Sequence, residues 1–135
     1  MSEQNYTEQR PWGSFTVLDS GQGYKVKRIS VKPNQRLSLQ YHHHRKEYWT
    51  VVKGDATILV HHKDTQDYFK DTLKSGKSVF IPKGAKHRLS NHTEEMVEII
   101  EVQCGDYLEE DDIVRLDDDY ERDIEKSVDR PKSSV

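Results

Sequence analysis

A single cysteine, Cys104, is all the thiol chemistry available to this chain of 135 residues. An internal disulfide is therefore excluded, and a reducing, cytoplasmic setting is the expectation. With no activating partner evident in the sequence, Cys104 reads as packing. The chain has no apolar run long enough to span a bilayer and no signal-peptide pattern. Apolar residues are scarce altogether, at 33%, the same share as the charged residues. That balance argues against a large helical core and for a small all-β domain with polar ends. An excess of one charge is also missing. The 21 basic and 24 acidic residues leave a net charge of -3, and the cations are dispersed. Neither nucleic acid nor a membrane is an expected partner. Internal repeats and long helical periodicity are absent too.

Short strand patterns fill the space between turn signals. Ser14–Leu18, Tyr24–Lys32, Leu37–Tyr41, Glu47–Val52, Ala56–His62, Tyr68–Leu73, Ser78–Ile81, His87–Leu89 and Val97–Gln103 read as strands. Turn chemistry separates them, as at Asp19–Gly23, Lys53-Gly54-Asp55 and Pro82-Lys83-Gly84. Many short strands with regular turns indicate a sandwich or barrel. Residues 1–9 are expected to be a flexible N-terminus, 10–122 the domain, and 123–135 a disordered tail. A turn or short helix is expected within 106–124.

Metal-type ligands concentrate at Gln40-Tyr41-His42-His43-His44-Arg45-Lys46-Glu47. Gln40 and His42 share a strand face by parity, with Leu37, Leu39 and Tyr41 on the other. If Glu47 begins a strand returning antiparallel, its carboxylate lies beside the His42 imidazole. The histidine triplet is internal, and by itself such a tract is more often solvated than functional. His43 has the opposite parity from His42, which suits a structural role. Trp12 and Trp49 read as core before they read as sugar platforms.

A larger pattern surrounds that stretch. Gly76-x5-Pro82-x-Gly84-x2-His87-x3-Asn91 matches the second motif of the cupin family, and Asn34-x5-Gln40-x-His42-x4-Glu47-x6-Gly54 resembles the first. Asn34 stands where a glycine is usual and Gln40 where a histidine is usual. Asn tolerates positive φ, and Gln still offers an amide oxygen. The resemblance implies a cupin-type double-stranded β-helix, a jelly-roll barrel, with a short C-terminal extension. A closer likeness, to type II mannose-6-phosphate isomerase, runs over about residues 10 to 122. It is carried by Arg10-Pro11-Trp12-Gly13, Tyr24–Ile29, Arg36–Gln40, His42–Arg45, Lys86–Leu89, Ile100–Gln103 and Gly105-x-Tyr107-Leu108-x-Glu110–Arg115. In that family the cupin is often joined to a guanylyltransferase domain. Nothing in these residues resembles such a domain, so a stand-alone cupin is expected.

The resemblance implies a metal-dependent interconversion of mannose 6-phosphate and fructose 6-phosphate, feeding nucleotide-sugar and polysaccharide synthesis. Gln40, His42, Glu47 and His87 are the expected ligands of one divalent ion. Zn2+ suits them, and Mn2+, Co2+, Ni2+ or Fe2+ would also fit. The set carries one negative charge, which leaves the ion net positive. Lys25, Arg36, Arg88 and Arg115 are the candidates for holding the phosphate. Arg45, between two ligands, ranks first as proton shuttle or enediolate stabiliser, followed by His44 and Glu101. Asp111 and Asp112 suit a solvated turn or a pocket role equally. A homodimer is expected, because Leu37, Leu39 and Tyr41 need cover. Two other readings stand beside this one: a non-catalytic sugar-phosphate-binding cupin partnering a separate guanylyltransferase, and an Fe(II)-dependent cupin oxygenase.

Overall fold

The computed structural model describes residues 6–120. In chain order the strands are β1 (Tyr6–Arg10), β2 (Gly13–Gly21), β3 (Tyr24–Val31), β4 (Leu39–Tyr41), β5 (Arg45–Lys53), β6 (Ala56–His61), β7 (Tyr68–Leu73), β8 (Ser78–Ile81), β9 (Lys86–Ser90), β10 (Val97–Gly105) and β11 (Val114–Asp117). One antiparallel sheet has the order β1-β2-β3-β10-β5-β8 and the other β11-β4-β9-β6-β7. The described residues contain no helix. The two sheets face each other, as the jelly-roll expectation requires.

Alternation along the strands builds the interior. Val97, Ile99, Glu101 and Gln103 of β10 point inward, as do Arg45, Glu47, Trp49 and Val51 of β5 and Lys27, Ile29 and Val31 of β3. On each of these three adjacent strands the inward residues change from apolar to polar partway along. Val31, Val51, Val97 and Ile99 are fully buried and close one end with Ile58, Val60 and Leu89 of the other sheet. Burying each such side chain is worth about 1.5–3 kcal/mol. The other end buries Lys27, Arg45, Glu47 and Glu101. Desolvating an ion costs several kcal/mol, so this end is a liability for stability unless the charges compensate one another.

Three local expectations are corrected. Residues 6–9, read as loose, form β1, which pairs with β2 from Tyr6↔Val17 to Arg10↔Gly13. The region after residue 106, read as a turn or short helix, does turn at Glu110–Asp111 but then adds an unexpected strand, β11, which covers the edge of β4. The strand at Leu37–Tyr41 and the strand beginning near Glu47 do not make a hairpin. They lie in different sheets, and His42–His44 carries the chain from one to the other. Residues 1–5 of the expected flexible N-terminus and the expected tail at 123–135 lie outside the described residues.

A bulge explains a fourth difference. Arg36 pairs with Ser90 and Gln40 with His87, so four steps on one side oppose three on the other. The extra residue shifts the parity. Leu37 consequently packs against the core while Gln40 still lines the interior, and the two were expected on opposite faces. Asn34 does adopt the positive φ anticipated for it, at 60°.

Candidate metal centre

The crossing at His42–His44 places ligands from both sheets at the polar end of the barrel. His42 lies in the crossing, Glu47 on β5 and His87 on β9. All three are buried, and one ligand atom from each lies within 4.8 Å of the others. His42 Nε2 is 3.3 Å from Glu47 Oε2, and His87 Nε2 is 3.9 Å from Glu47 Oε1. Ligand bonds of about 2.0–2.2 Å put neighbouring donors roughly 3–4 Å apart, so the spacing fits a first-row divalent ion.

The hydrogen bonds behind the ligands fix their chemistry. His42 Nδ1 lies 2.6 Å from the Asp112 carbonyl oxygen, and His87 Nδ1 lies 3.0 Å from that of Ala85. A carbonyl oxygen can only accept, so each Nδ1 carries the proton and each Nε2 keeps a lone pair for a metal. Burial, with the charges of His87 and Arg45 beside it, holds His42 well below its usual pKa, so it is neutral near pH 7. Glu47 accepts from Trp49 Nε1 at 2.9 Å on one oxygen and from Arg45 Nε at 2.8 Å on the other. Burial alone would raise Glu47, but Arg45, His87 and a hydrogen bond from Glu101 outweigh it and bring it to about 2. Gln40 gives its amide nitrogen to Ser38 Oγ at 2.8 Å, and its oxygen remains the atom able to act as a ligand.

A polar lumen of about 80 Å³ opens beside these ligands, and Gln40, Arg45, Glu101, Lys27, Glu110 and Arg115 are among its walls. Burial raises the Glu101 carboxyl to about 7, with the neighbouring Glu47 charge adding to the effect, and Gln103 Nε2 donates to it at 2.8 Å. Burial opposes the charge of Arg45, but Glu47 and Glu101 overcome this and raise its pKa, so its guanidinium stays charged. Lys27 Nζ sits 2.6 Å from Glu110 and 4.0 Å from the centre of the Phe15 ring. The segment 106–113 thus closes over the lumen by its contacts. Leu108 O accepts from Lys25, Glu110 pairs with Lys27, and Asp112 holds the crossing.

The other candidates fall in different places. Arg115 lines the lumen. Lys25 is at its rim, donating to Leu108 O at 2.8 Å. Arg36 and Arg88 face outward, because Ser90 and Leu59, their register partners, alternate with the inward residues of β9 and β6. They are tied to Asp119 and Asp117. His44 is exposed, with its ring edge-on to Tyr107 at 5.4 Å. It lies beyond β4, which ends at Tyr41, so strand parity does not set it beside His42. Sequence reasoning passed over Lys27 as a lumen cation and Trp49 as a donor to Glu47. The shared parity of Lys27 with Lys25 was the available signal for the first.

Asp112 takes neither of the two roles weighed for it. Its carboxylate accepts the backbone amides of His43 at 2.8 Å and His44 at 2.9 Å, while its carbonyl orients His42. Asp112→Ala is expected to weaken metal binding about 10–100-fold, the usual effect of losing a group that orients a ligand. Competition with a chromophoric chelator measures this, and unchanged affinity would show that the crossing holds its shape without the carboxylate.

Comparison with known proteins places this architecture. Bacillus subtilis oxalate decarboxylase superposes with a TM-score of 0.74 at 17% identity, over 84% of this chain and 30% of that one. The capsular polysaccharide assembling protein CapF of Staphylococcus aureus does so with a TM-score of 0.69 at 19% identity, over 84% and 34%. These likenesses establish the cupin fold. Mannose-1-phosphate guanylyltransferase ManC of Salmonella typhimurium is 45% identical over 113 residues, 84% of this chain and 22% of that protein. The alginate biosynthesis protein AlgA of Pseudomonas aeruginosa is 48% identical over 126 residues, 93% and 25%. The chain therefore spans about a quarter of the length of these relatives. The family described as mannose-6-phosphate isomerase C-terminal matches residues 1–118, and this chain belongs to it.

Proposed function

We propose that this protein is a metal-dependent isomerase of mannose 6-phosphate and fructose 6-phosphate. The observation that carries the reading is the buried His42, Glu47 and His87 cluster, joined through Arg45 to a lumen that Arg45 and Glu101 line. A divalent ion held by these three side chains and Gln40 would supply electrophilic polarisation of the sugar carbonyl. Zinc suits two imidazoles, a carboxylate and an amide oxygen.

The rest of the chemistry falls to the chain. Aldose–ketose isomerisation moves a proton from C2 of the aldose to C1, through an enediolate. The group that carries it must be a base inside the lumen. Arg45 is fixed as a cation by Glu47 and Glu101 and cannot take a proton. Its role is to stabilise negative charge on the enediolate oxygens. Of the two lumen carboxylates, Glu110 is paired with Lys27, and Glu101 is the one suited to proton transfer, which reverses the order in which the sequence ranks Arg45 and Glu101. His44, exposed beside Tyr107, drops out of this role. Arg115, Lys25 and Lys27 supply the positive charge for the phosphate. Arg36 and Arg88 keep their carboxylate partners on the outer face.

The lumen of about 80 Å³ is smaller than the roughly 300–1,000 Å³ of ordinary small-molecule sites. Substrate entry therefore requires segment 106–113 to move outward, breaking the Lys27–Glu110 pair and freeing Lys27 for the phosphate.

Proton NMR of mannose 6-phosphate with the metal-loaded protein in heavy water tests the whole reading. Fructose 6-phosphate should accumulate, with deuterium entering at C2 of the aldose pool. If zinc, manganese, cobalt, nickel and iron all give no turnover while the sugar phosphate still binds, a binding module takes the place of the enzyme.

A further inference from the structure

A second concavity, of about 390 Å³, lies on the outer face of the sheet that carries β4, β9, β6 and β7. It is separate from the lumen and shares none of its lining residues. Strand register builds its floor. His61 of β6 pairs with Lys86 of β9 on one side and Tyr68 of β7 on the other. Gln40 pairs with His87, which sets Tyr41 beside Lys86. Tyr41, Lys86 and His61 thus form a row across three neighbouring strands, pointing away from the barrel interior.

Two turns raise walls around this row. The β6–β7 turn brings Lys63 and Gln66, and the Pro82-Lys83-Gly84 turn brings Lys83. Gln66 adopts a φ of 66°, unusual for a residue with a side chain. In that conformation its amide nitrogen donates to Lys63 O at 2.9 Å, and its oxygen lies 3.2 Å from His61 Nε2. The turn is thereby folded back over the row and its histidine is oriented. Gly84, at φ +82°, leaves room for the Lys63 stem, whose Cδ would be 3.2 Å from an added Cβ.

The charge of the groove is one-sided. Lys63, Lys83 and Lys86 line it with His43, His61 and His62, and no carboxylate does. None of the three lysines makes an ion pair among the described residues. This occurs in a chain whose net charge is -3. Like charges gathered in a concave site repel one another, and a bound anion relieves that repulsion. The volume lies in the range of small-molecule sites, and multiply charged phosphate oxygens match several convergent N–H donors. We propose that this groove binds a phosphorylated small molecule, at a site distinct from the metal centre.

Inorganic pyrophosphate is the probe. It is titrated into the metal-loaded full chain at low salt, followed by calorimetry and by amide NMR shifts. The proposal predicts saturable binding with a Kd below about 1 mM. Shifts should centre on Lys63, Gln66, Gly84 and Lys86. The Lys63→Gln/Lys83→Gln/Lys86→Gln variant changes only exposed side chains, so its fold is retained. It should bind at least about tenfold more weakly, the loss expected when three cation contacts to one anion are removed. Binding that is absent in the wild type, unchanged in the triple variant, or mapped by shifts to Glu47, Glu101 and Gln103 alone would overturn the proposal.

Discussion

A His42→Ala/His87→Ala variant is expected to lose metal binding, and with it the proposed isomerase activity, while keeping its fold. Four-ligand zinc sites bind with about 10–16 kcal/mol, or roughly 3 kcal/mol for each ligand. Removing two imidazoles should therefore weaken binding by about 10⁴-fold or more, since every 1.4 kcal/mol is tenfold. The fold should survive because the apolar end of the barrel does not depend on these side chains. Val31, Val51, Ile58, Val97 and Ile99 are buried there without contribution from the centre. Glu47 also keeps its hydrogen bonds from Trp49 and Arg45, so the variant leaves no unpaired buried carboxylate. Elemental analysis after dialysis, with a thermal melt beside it, gives both readouts. Full metal occupancy in the double variant would sink this centre. Loss of cooperative melting would instead mean that the ion has a structural role.

The second large effect is expected at Glu101. Glu101→Gln keeps the shape and the contact with Gln103 but removes the capacity to carry a proton. Turnover of mannose 6-phosphate should fall by about 10²–10⁴, the range for a positioned acid–base group. Metal content should stay at the wild-type level, because Glu101 is outside the ligand cluster. Arg45→Ala offers the comparison. It should lower kcat about 10²-fold, as removal of one oxyanion-stabilising group does. It also takes a hydrogen bond and a counter-charge from Glu47, so some loss of metal affinity should accompany it. Glu101→Gln should show no such loss. If Glu101→Gln retains near-wild-type kcat, the proton travels by another group, and the metal centre is unaffected by that outcome. Solvent-deuterium incorporation distinguishes the two variants further. Exchange of the C2 proton should slow in step with the lost turnover in Glu101→Gln, whereas in Arg45→Ala, which keeps the base, it should slow less.

Several of these features are legible in the amino-acid sequence. The period-two patterns and turn residues locate most strands, because alternation is a local property of the chain. The two motifs single out Gln40, His42, Glu47 and His87, and Asn34 takes the backbone conformation its amino-acid type permits. Cysteine usage and charge balance are equally plain. Parity fails where the chain stops being a strand. His44 cannot share a face with His42 once β4 ends at Tyr41, and the bulge between Arg36 and Gln40 turns Leu37 inward. No sequence window records an extra residue opposed by a partner fifty positions away.

Pairing between distant strands decided the rest. Whether Lys27, Glu101 and Glu47 meet depends on the register of β3, β10 and β5, which sets Lys27 opposite Glu101 and Gln103 opposite Glu47. Arg36, Arg88 and Arg115 are similar residues in sequence, yet only Arg115 among them lines the lumen. The sense of each strand's alternation, inward or outward, is fixed by the sheet it joins. The chain by itself therefore determined which residues can bind a metal, since ligand chemistry resides in the side chain. The tertiary structure decided which charges surround them, because long-range register alone brings those side chains together.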